Sequence, residues 1–198
     1  QDSAGYNLPY TPDMLQLNKV IKSKADIEVT RLSGYIQDNL VFNDSSDFTL
    51  QAGVRYNYNT LNNELLVSPR AGFSWRPRNW KHDIVFRAAA GAYHQPPFYR
   101  ELRRYDGTIN KDLKAQQSLQ VAGGLDYNFR SGPRAFRFTT EAYYKRMTNV
   151  VPYDIDNVRL RYFGENKAKA YAAGLELRLF GELVKDAESW ISLGFMRT

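Results

Sequence analysis

The sequence predicts an all-β protein, an antiparallel transmembrane β-barrel segment of about eight strands, and three observations indicate this fold. Hydrophobic and polar residues alternate with a period of two along most of the 198 residues. Each alternating run extends over about ten residues, the length that a tilted strand needs to cross a bilayer, whereas strands of soluble sheets favour about five or six. Short connections rich in turn residues also alternate with longer ones, as in membrane-spanning barrels.

Alternation defines each strand in turn. Between Glu64 and Arg76, for example, Leu65, Val67 and Phe73 share one face and polar residues occupy most of the other. The first strand is the least regular, because Asp38 falls in line with hydrophobic residues. The predicted strands, in order, are about Arg31–Phe42, Phe48–Tyr58, Glu64–Arg76, Ile84–Tyr93, Ser118–Phe129, Phe136–Tyr144, Tyr171–Leu183 and Ser189–Met196.

Charged and aromatic residues follow the same two faces. Nearly every strand charge lies on a polar face, and aromatic residues lie near the strand ends of the hydrophobic faces, which predicts a lipid-facing band between two aromatic girdles. A soluble β-sandwich also separates its faces, but its strands are shorter and its exposed faces carry more Lys and Glu. The aromatic residues near strand ends are Phe48, Tyr58, Trp75, Phe129 and Tyr144.

Composition excludes several classes of protein. No apolar stretch approaches the length of about 18 residues that a transmembrane helix needs. The absence of cysteine excludes disulfides, thiolate metal sites and cysteine nucleophiles. The formal net charge of +6 would allow binding to nucleic acid, but the basic residues are dispersed along the strands, so no nucleic-acid partner is expected.

The connections place the strand ends on two sides. The predicted turns Asn43–Asp47, Pro77–Asp83, Arg130–Pro133 and Val184–Glu188 are short, and they alternate with Thr60–Asn63 and the long connections His94–Gln116 and Thr148–Lys169. We expect residues 1–198 to form part of one barrel domain, with residues 1–29 as an extracellular loop lead-in. The N-terminus lacks the features of a signal peptide, which favours a chain that begins inside a larger protein.

Several short sequence segments, taken together, resemble those of TonB-dependent outer-membrane receptors, especially those of the Bacteroidetes type. The order and spacing of these segments over Gly34–Asn149 are more specific than any one of them. After the position of Leu113 the family usually has Pro-Glu, whereas this chain has Lys114-Ala115-Gln116. This end of the loop is therefore expected to fold differently. The segments are Gly34–Asp38, Ala52–Tyr56, Ser68–Phe73, Phe86–Gly91, Gln95–Phe98, Asn110–Lys114, Gly123–Tyr127 and Glu141–Lys145.

The resemblance implies a location and a function. Such receptors are barrels of about 22 strands with a plugged lumen, so eight strands are about a third of one, and the N-terminal plug is absent here. The implied protein lies in the bacterial outer membrane, takes up a scarce nutrient, and has outer-membrane lipid, its own plug, TonB and the nutrient ligand as partners. It needs no cofactor and is not an enzyme. The alternatives are a passive outer-membrane channel or structural barrel, and a soluble β-sandwich binding module.

Ligand recognition is expected in the long connection that begins at His94. This stretch combines aromatic rings, arginine guanidinium groups and a stiff Pro-Pro pair, which suits an anionic or sugar-like ligand. Loop-to-loop packing that seals the barrel mouth is an equally open interpretation. The candidate ligand-binding residues are His94, Gln95, Tyr99, Arg100, Arg103, Arg104 and Tyr105.

Catalytic and metal sites are not expected. His82 and His94 lie on different connections at opposite ends of the predicted barrel, so they cannot share a metal or a triad. Glu141 and Glu176 could form an acid–base pair, but carboxylates paired with Arg137 or Arg178 explain them better. Two further features have structural interpretations: close packing or curvature for Gly123-Gly124, and loop solvation rather than calcium binding for Asp154, Asp156 and Asn157.

Overall fold

The computed structural model describes residues 25–42, 46–104, 106–156, 158–184 and 186–198. Within these ranges the chain forms ten strands. They are β1 (Arg31–Phe42), β2 (Ser46–Asn59), β3 (Glu64–Pro77), β4 (Asp83–Gln95), β5 (Gln116–Ser131), β6 (Arg134–Val150), β7 (Tyr153–Asp156), β8 (Arg159–Tyr162), β9 (Ala168–Val184) and β10 (Ala187–Arg197).

The long strands form one antiparallel meander, which we call the main sheet. Among the described residues it has eight strands in the order β1-β2-β3-β4-β5-β6-β9-β10, so each strand pairs with its neighbour in sequence except across the β7–β8 hairpin. The predicted all-β fold and all eight predicted strands are confirmed. A single continuous sheet is also not the pair of packed sheets that a β-sandwich requires.

Two features differ from the predicted elements. The connection between β6 and β9 contains the β7–β8 hairpin, whose strands of four residues are too short to show a period-two signal. Strand β4 continues to Gln95, which pairs with Gln116, so His94 and Gln95 end a strand rather than begin a loop. Pro96 follows, and its missing N–H explains why the hydrogen-bonded ladder stops there.

The register gives the main sheet two chemically different faces. The polar face includes the row Ser74, Arg87, Gly124, Glu141 and Glu176, which are directly opposed from β3 to β9. The apolar face carries the alternate residues of the same strands. We call the two ends of the sheet the short-turn end, where β1 joins β2 and β5 joins β6, and the long-loop end, where β4 joins β5 and β6 joins β9.

Aromatic rings line the apolar face at the short-turn end. Trp75 and Phe86 stack with ring centroids 5.6 Å apart, and Trp80 makes edge contacts with both rings at 5.9 and 5.7 Å. Phe129 continues the row, with Tyr127 at 5.1 Å and Phe136 at 5.5 Å. This row lies where the sequence predicts one of the two girdles, and it contains the predicted Phe48, Trp75 and Phe129.

The main sheet does not enclose a hydrophobic core. Of the buried hydrophobic residues among those described, only Leu66 lies in a main-sheet strand, and the others, Leu102, Leu113, Ala115 and Val151, lie in the long connections. Within the described ranges, β1 and β10 have no neighbour on their outer edges. The sheet is therefore an unclosed part of a barrel, and its large hydrophobic residues stay exposed along the apolar face, as Ile36 and Phe195 do.

Strand β5 approaches β6 closely at one glycine. A Cβ added at Gly124 would lie 2.2 Å from the Thr140 carbonyl oxygen, whereas one added at Gly123 would lie 3.8 Å from its nearest neighbour. Any side chain at position 124 would therefore push on the backbone of β6 and not on a side chain that can move. The close packing predicted for Gly123-Gly124 is confirmed at Gly124.

A search of the described residues for membrane-spanning helices finds none of sufficient length and hydrophobicity.

Candidate functional site

The long connection between β4 and β5 is a folded unit. Leu102 and Leu113 are fully buried and pack with Val151 from the other long connection. Ile27 from the segment before β1 and Leu61 from the β2–β3 turn pack against this cluster, as do Ile109 and Tyr162 of the two long connections themselves. Hydrophobic packing thus holds both long connections against the segment before β1 and the β2–β3 turn.

Two carboxylates, buried Glu101 and half-buried Glu64, fix the ends of this unit. Glu101 accepts a hydrogen bond from the Phe98 backbone N–H at 2.8 Å and another from the Gln116 side chain at 2.8 Å. Glu64 accepts from the Ala115 backbone N–H and from Asn62, each at 2.9 Å. Glu101 thus joins the two ends of the connection to each other, and Glu64 joins its C-terminal end to β3.

Asparagine side chains join the two long connections. Asn166 accepts a hydrogen bond from the Lys114 N–H at 2.8 Å and donates to the carbonyl oxygens of Lys114 and Asn149 at 3.0 and 2.7 Å. Asn110 donates to the Gly164 carbonyl at 2.8 Å. These bonds satisfy backbone groups that lie outside the strand ladders, so the two connections form one rigid cover at the long-loop end.

The predicted arginines lie on the outer side of this cover. Buried Glu101 and Leu102 are flanked by exposed Arg100 and Arg103, and Tyr99 is 59% exposed. Within the described residues, no ion pair involves Arg100 or Arg103. The packing predicted as the alternative is therefore made by the buried side chains of this segment, whereas its arginines stay exposed. Tyr105, the last predicted residue, lies outside the described residues.

Arg104 belongs to a small charged group that spans both connections. The Lys167 ammonium, hydrogen-bonded to Glu165, lowers the pKa of that carboxyl, and the charge of Arg104 lowers it further. Glu165 therefore stays ionised, and it offsets part of the positive charge at Arg104. Arg100 and Arg103 carry the larger share of the uncompensated charge.

The two remaining predicted residues, His94 and Gln95, end strand β4 and line the same recess. His94 shares a hydrogen bond of 3.0 Å with the Ser68 hydroxyl, which ties β4 to β3. Gln95 lines a recess of about 230 Å³ with Gln116, Gln120 and Lys145. Amide side chains both donate and accept hydrogen bonds, so this recess suits a polar ligand group.

Charges on the polar face differ between its two halves. Toward the short-turn end, Asp126 is buried between Arg87 at 2.9 Å and Arg137 at 3.4 Å. Glu176 pairs with Arg178 at 3.5 Å and lies opposite Glu141, so the predicted pairing is confirmed for Glu176, and Arg137 instead pairs with Asp126.

Toward the long-loop end the polar face is electropositive. It carries Arg55, Arg70 and Lys145, and the described structure contains no ion pair for any of them; Arg70 donates to Gln37 at 2.6 Å. The carboxylates nearest to this end of the wall, Glu64 and Glu101, are occupied by loop hydrogen bonds. A positive surface of this kind attracts anions.

Comparison with known proteins decides the family. Residues 1–196 match the family described as TonB dependent receptor-like, beta-barrel. The chain belongs to this family. This family consists of transporters and receptors and is not an enzyme family. The Bacteroidetes type of receptor stays a prediction.

One solved TonB-dependent receptor shows the same fold as this receptor barrel. The chain superposes on the siderophore receptor PirA from Pseudomonas aeruginosa with a TM-score of 0.66 and 19% sequence identity. The match covers 85% of this chain and 32% of PirA, so the chain spans about a third of the length of that receptor. No curated protein matches the sequence.

Several positions and contacts at the long-loop end of the receptor barrel cannot be inferred from the sequence. Alternation alone places Arg55, Arg70 and Lys145 on polar faces, but their shared position near the long-loop end follows only from the register. The loop-fixing roles of Glu64, Glu101 and Asn166 depend on contacts that are distant in sequence. Among the described residues, no group of three or more potential ligand side chains could hold a metal ion.

Proposed function

We propose that this chain is part of the barrel wall of a TonB-dependent transporter in the bacterial outer membrane, which takes up a scarce nutrient. The family match over residues 1–196 carries this proposal, and the exposed apolar face with its aromatic girdle supports a membrane location. The apolar face meets lipid, and the polar face lines the lumen. Residues 1–29 lead into β1 on the extracellular side.

The polar face suits the packing of a plug domain in the intact receptor. Its short-turn half has paired charges around Asp126, and small residues at Gly72, Ala89 and Ala122 leave a shallow cleft of about 270 Å³. A plug can contact such a surface without burying an unpaired charge. Force transmitted by TonB then rearranges the plug, and the nutrient passes along the wall.

The extracellular end recognises the nutrient through positive charge. Arg100, Arg103 and Arg104, with Tyr99, present guanidinium and aromatic groups outward from a rigid cover, and Tyr105 joins them by sequence. His94 and Gln95 lie below the cover, where Gln95 and Lys145 line the recess. An anionic nutrient, such as a ferric siderophore, fits this distribution better than a cationic one.

Removing the three arginines tests this role. In the intact receptor, Arg100→Ser with Arg103→Ser and Arg104→Ser should weaken binding of an anionic ferric siderophore by about 2–4 kcal/mol, because charge-assisted bidentate contacts are lost. Binding of neutral vitamin B12 should change little. Affinity is measured by titration on receptor whose assembly is checked by heat-modifiable migration.

A matched control removes positive charge from the opposite end. Lys81→Ser with Arg130→Ser replaces exposed cations at the short-turn end and should leave siderophore affinity unchanged. If the triple variant assembles and keeps its affinity for every ligand, the loop only seals the mouth. Recognition would then have to be sought on the β6–β9 connection or on the plug.

A further inference from the structure

On three neighbouring strands, a basic residue lies on the apolar face of the main sheet. Arg146 on β6, Lys169 on β9 and Arg197 on β10 alternate with polar-face residues, so all three lie on the apolar face toward the long-loop end. All three side chains are exposed, and the described residues offer no ion pair to any of them. Elsewhere in the described strands, the charges on this face are Asp38 and, at the first residue of β6, Arg134.

The register brings these cations around one tyrosine. Arg146 is directly opposite Tyr171, and Lys169 precedes Tyr171 by two residues on the same face of β9. Arg197 is opposite Ala173, the next residue along that face. Directly opposed residues have Cβ atoms about 5 Å apart and diagonal ones about 7–8 Å apart, so these long side chains can reach a common anion.

Their level along the sheet is compatible with a membrane interface. Tyr144 and Tyr171 lie among the cations, and hydrophobic residues such as Leu175, Leu177 and Leu193 follow toward the short-turn end. Tyrosine and long basic side chains are favoured where a hydrocarbon core meets headgroups. Three unpaired cations on a lipid-facing surface also need counter-charge, because burying unpaired charge is costly.

We propose that Arg146, Lys169 and Arg197 form a binding site for the phosphate group of an anionic lipid headgroup in the outer leaflet. This inference rests on the proposed outer-membrane location. It adds a second ligand, a lipid, which binds the apolar face of the wall, whereas the nutrient passes along the polar face. The guanidinium groups and the ammonium bind phosphate oxygens, and Tyr144 and Tyr171 pack against the lipid below the phosphate.

The test measures lipid preference of the intact assembled receptor in detergent. Native mass spectrometry compares retention of a diphosphoryl glycolipid with that of its dephosphorylated form. We expect the preference for the phosphorylated lipid to fall about a hundredfold in the variant R146Q/K169Q/R197Q, since each basic side chain near anionic lipid contributes roughly fivefold. The charge-preserving variant R146K/R197K should keep most of the preference.

A control triple on the polar face removes the same charge. R55Q/R70Q/K145Q should keep the lipid preference, because these positions face the lumen. An unchanged preference in R146Q/K169Q/R197Q, an equal loss in both triples, or displacement of the lipid by an equal concentration of inorganic phosphate would each overturn the inference. Nutrient uptake is a separate readout, so its absence with intact lipid preference would contradict only the proposed function.

Discussion

Leu177→Arg in the intact receptor is expected to destabilise the membrane-inserted barrel by about 2–4 kcal/mol. Leu177 lies near the middle of β9 on the apolar face, opposite Leu193 on β10. At this depth the arginine side chain must either lose its hydration or distort the bilayer so that its guanidinium group reaches water. The free energy of unfolding in lipid vesicles, measured by denaturant titration with tryptophan fluorescence, gives the cost directly.

Gln120→Arg provides the matched control on the opposite face. Gln120 lies on β5 in the polar face, opposite Gly91 on one side and Lys145 on the other. An arginine there stays in a polar lumen, so it should cost much less than Leu177→Arg, apart from repulsion by Lys145. Similar penalties for the two substitutions would contradict a lipid-facing apolar surface.

Leu102→Ala is expected to cost the long-loop cover about 2–5 kcal/mol, the range for truncation of a fully buried leucine. Leu102 is completely buried against Leu113 and Val151, so few neighbouring atoms can collapse into the space that it leaves. Because the cover is joined to the main sheet mainly at its ends, the strands should stay folded. Hydrogen exchange should rise in residues 96–115 and in the segment around Asn166, which bonds to Lys114.

Phe98→Ala in the same connection separates packing from a general effect of truncation. Phe98 is 61% exposed, so its replacement should change stability by about 0.5 kcal/mol or less. Faster exchange in both variants would show that the connection is not the packed unit described above. Unchanged exchange in Leu102→Ala would show that the cover does not depend on its buried cluster.

The strands could be predicted because each one meets two different environments. Alternation along β3 and β5 marks both the existence of the strand and the face of every residue, and the structure bears out both. Only the strand ends differ, as at Gln95, where pairing with Gln116 continues the ladder by two residues. Local chemistry at Pro96 decides that boundary, and hydrophobic periodicity does not report it.

The interior of the long-loop cover could not be predicted in the same way. Asn62 contacts the Leu113 carbonyl across 51 positions of sequence, and Asn166 bonds to Lys114 across 52. Such contacts leave no periodic trace in the sequence. The positions of Arg146, Lys169 and Arg197 on one face likewise depend on the register of β6, β9 and β10, which is known only when the strands are paired.

The most direct test of the central claim is a cysteine scan along β5 of the intact receptor in lipid nanodiscs. The chain contains no native cysteine, so each introduced thiol between residues 118 and 127 reports its own position within this chain. Oxygen, which concentrates in the lipid phase, should speed the relaxation of spin labels at Leu119, Val121, Gly123 and Leu125. A water-soluble nickel chelate should instead speed the relaxation of labels at Gln120, Ala122 and Asp126. Accessibility to oxygen and accessibility to the chelate should therefore alternate along β5 with opposite phase. Equal access of the chelate to both sets would contradict a wall with lipid on one face and an aqueous lumen on the other.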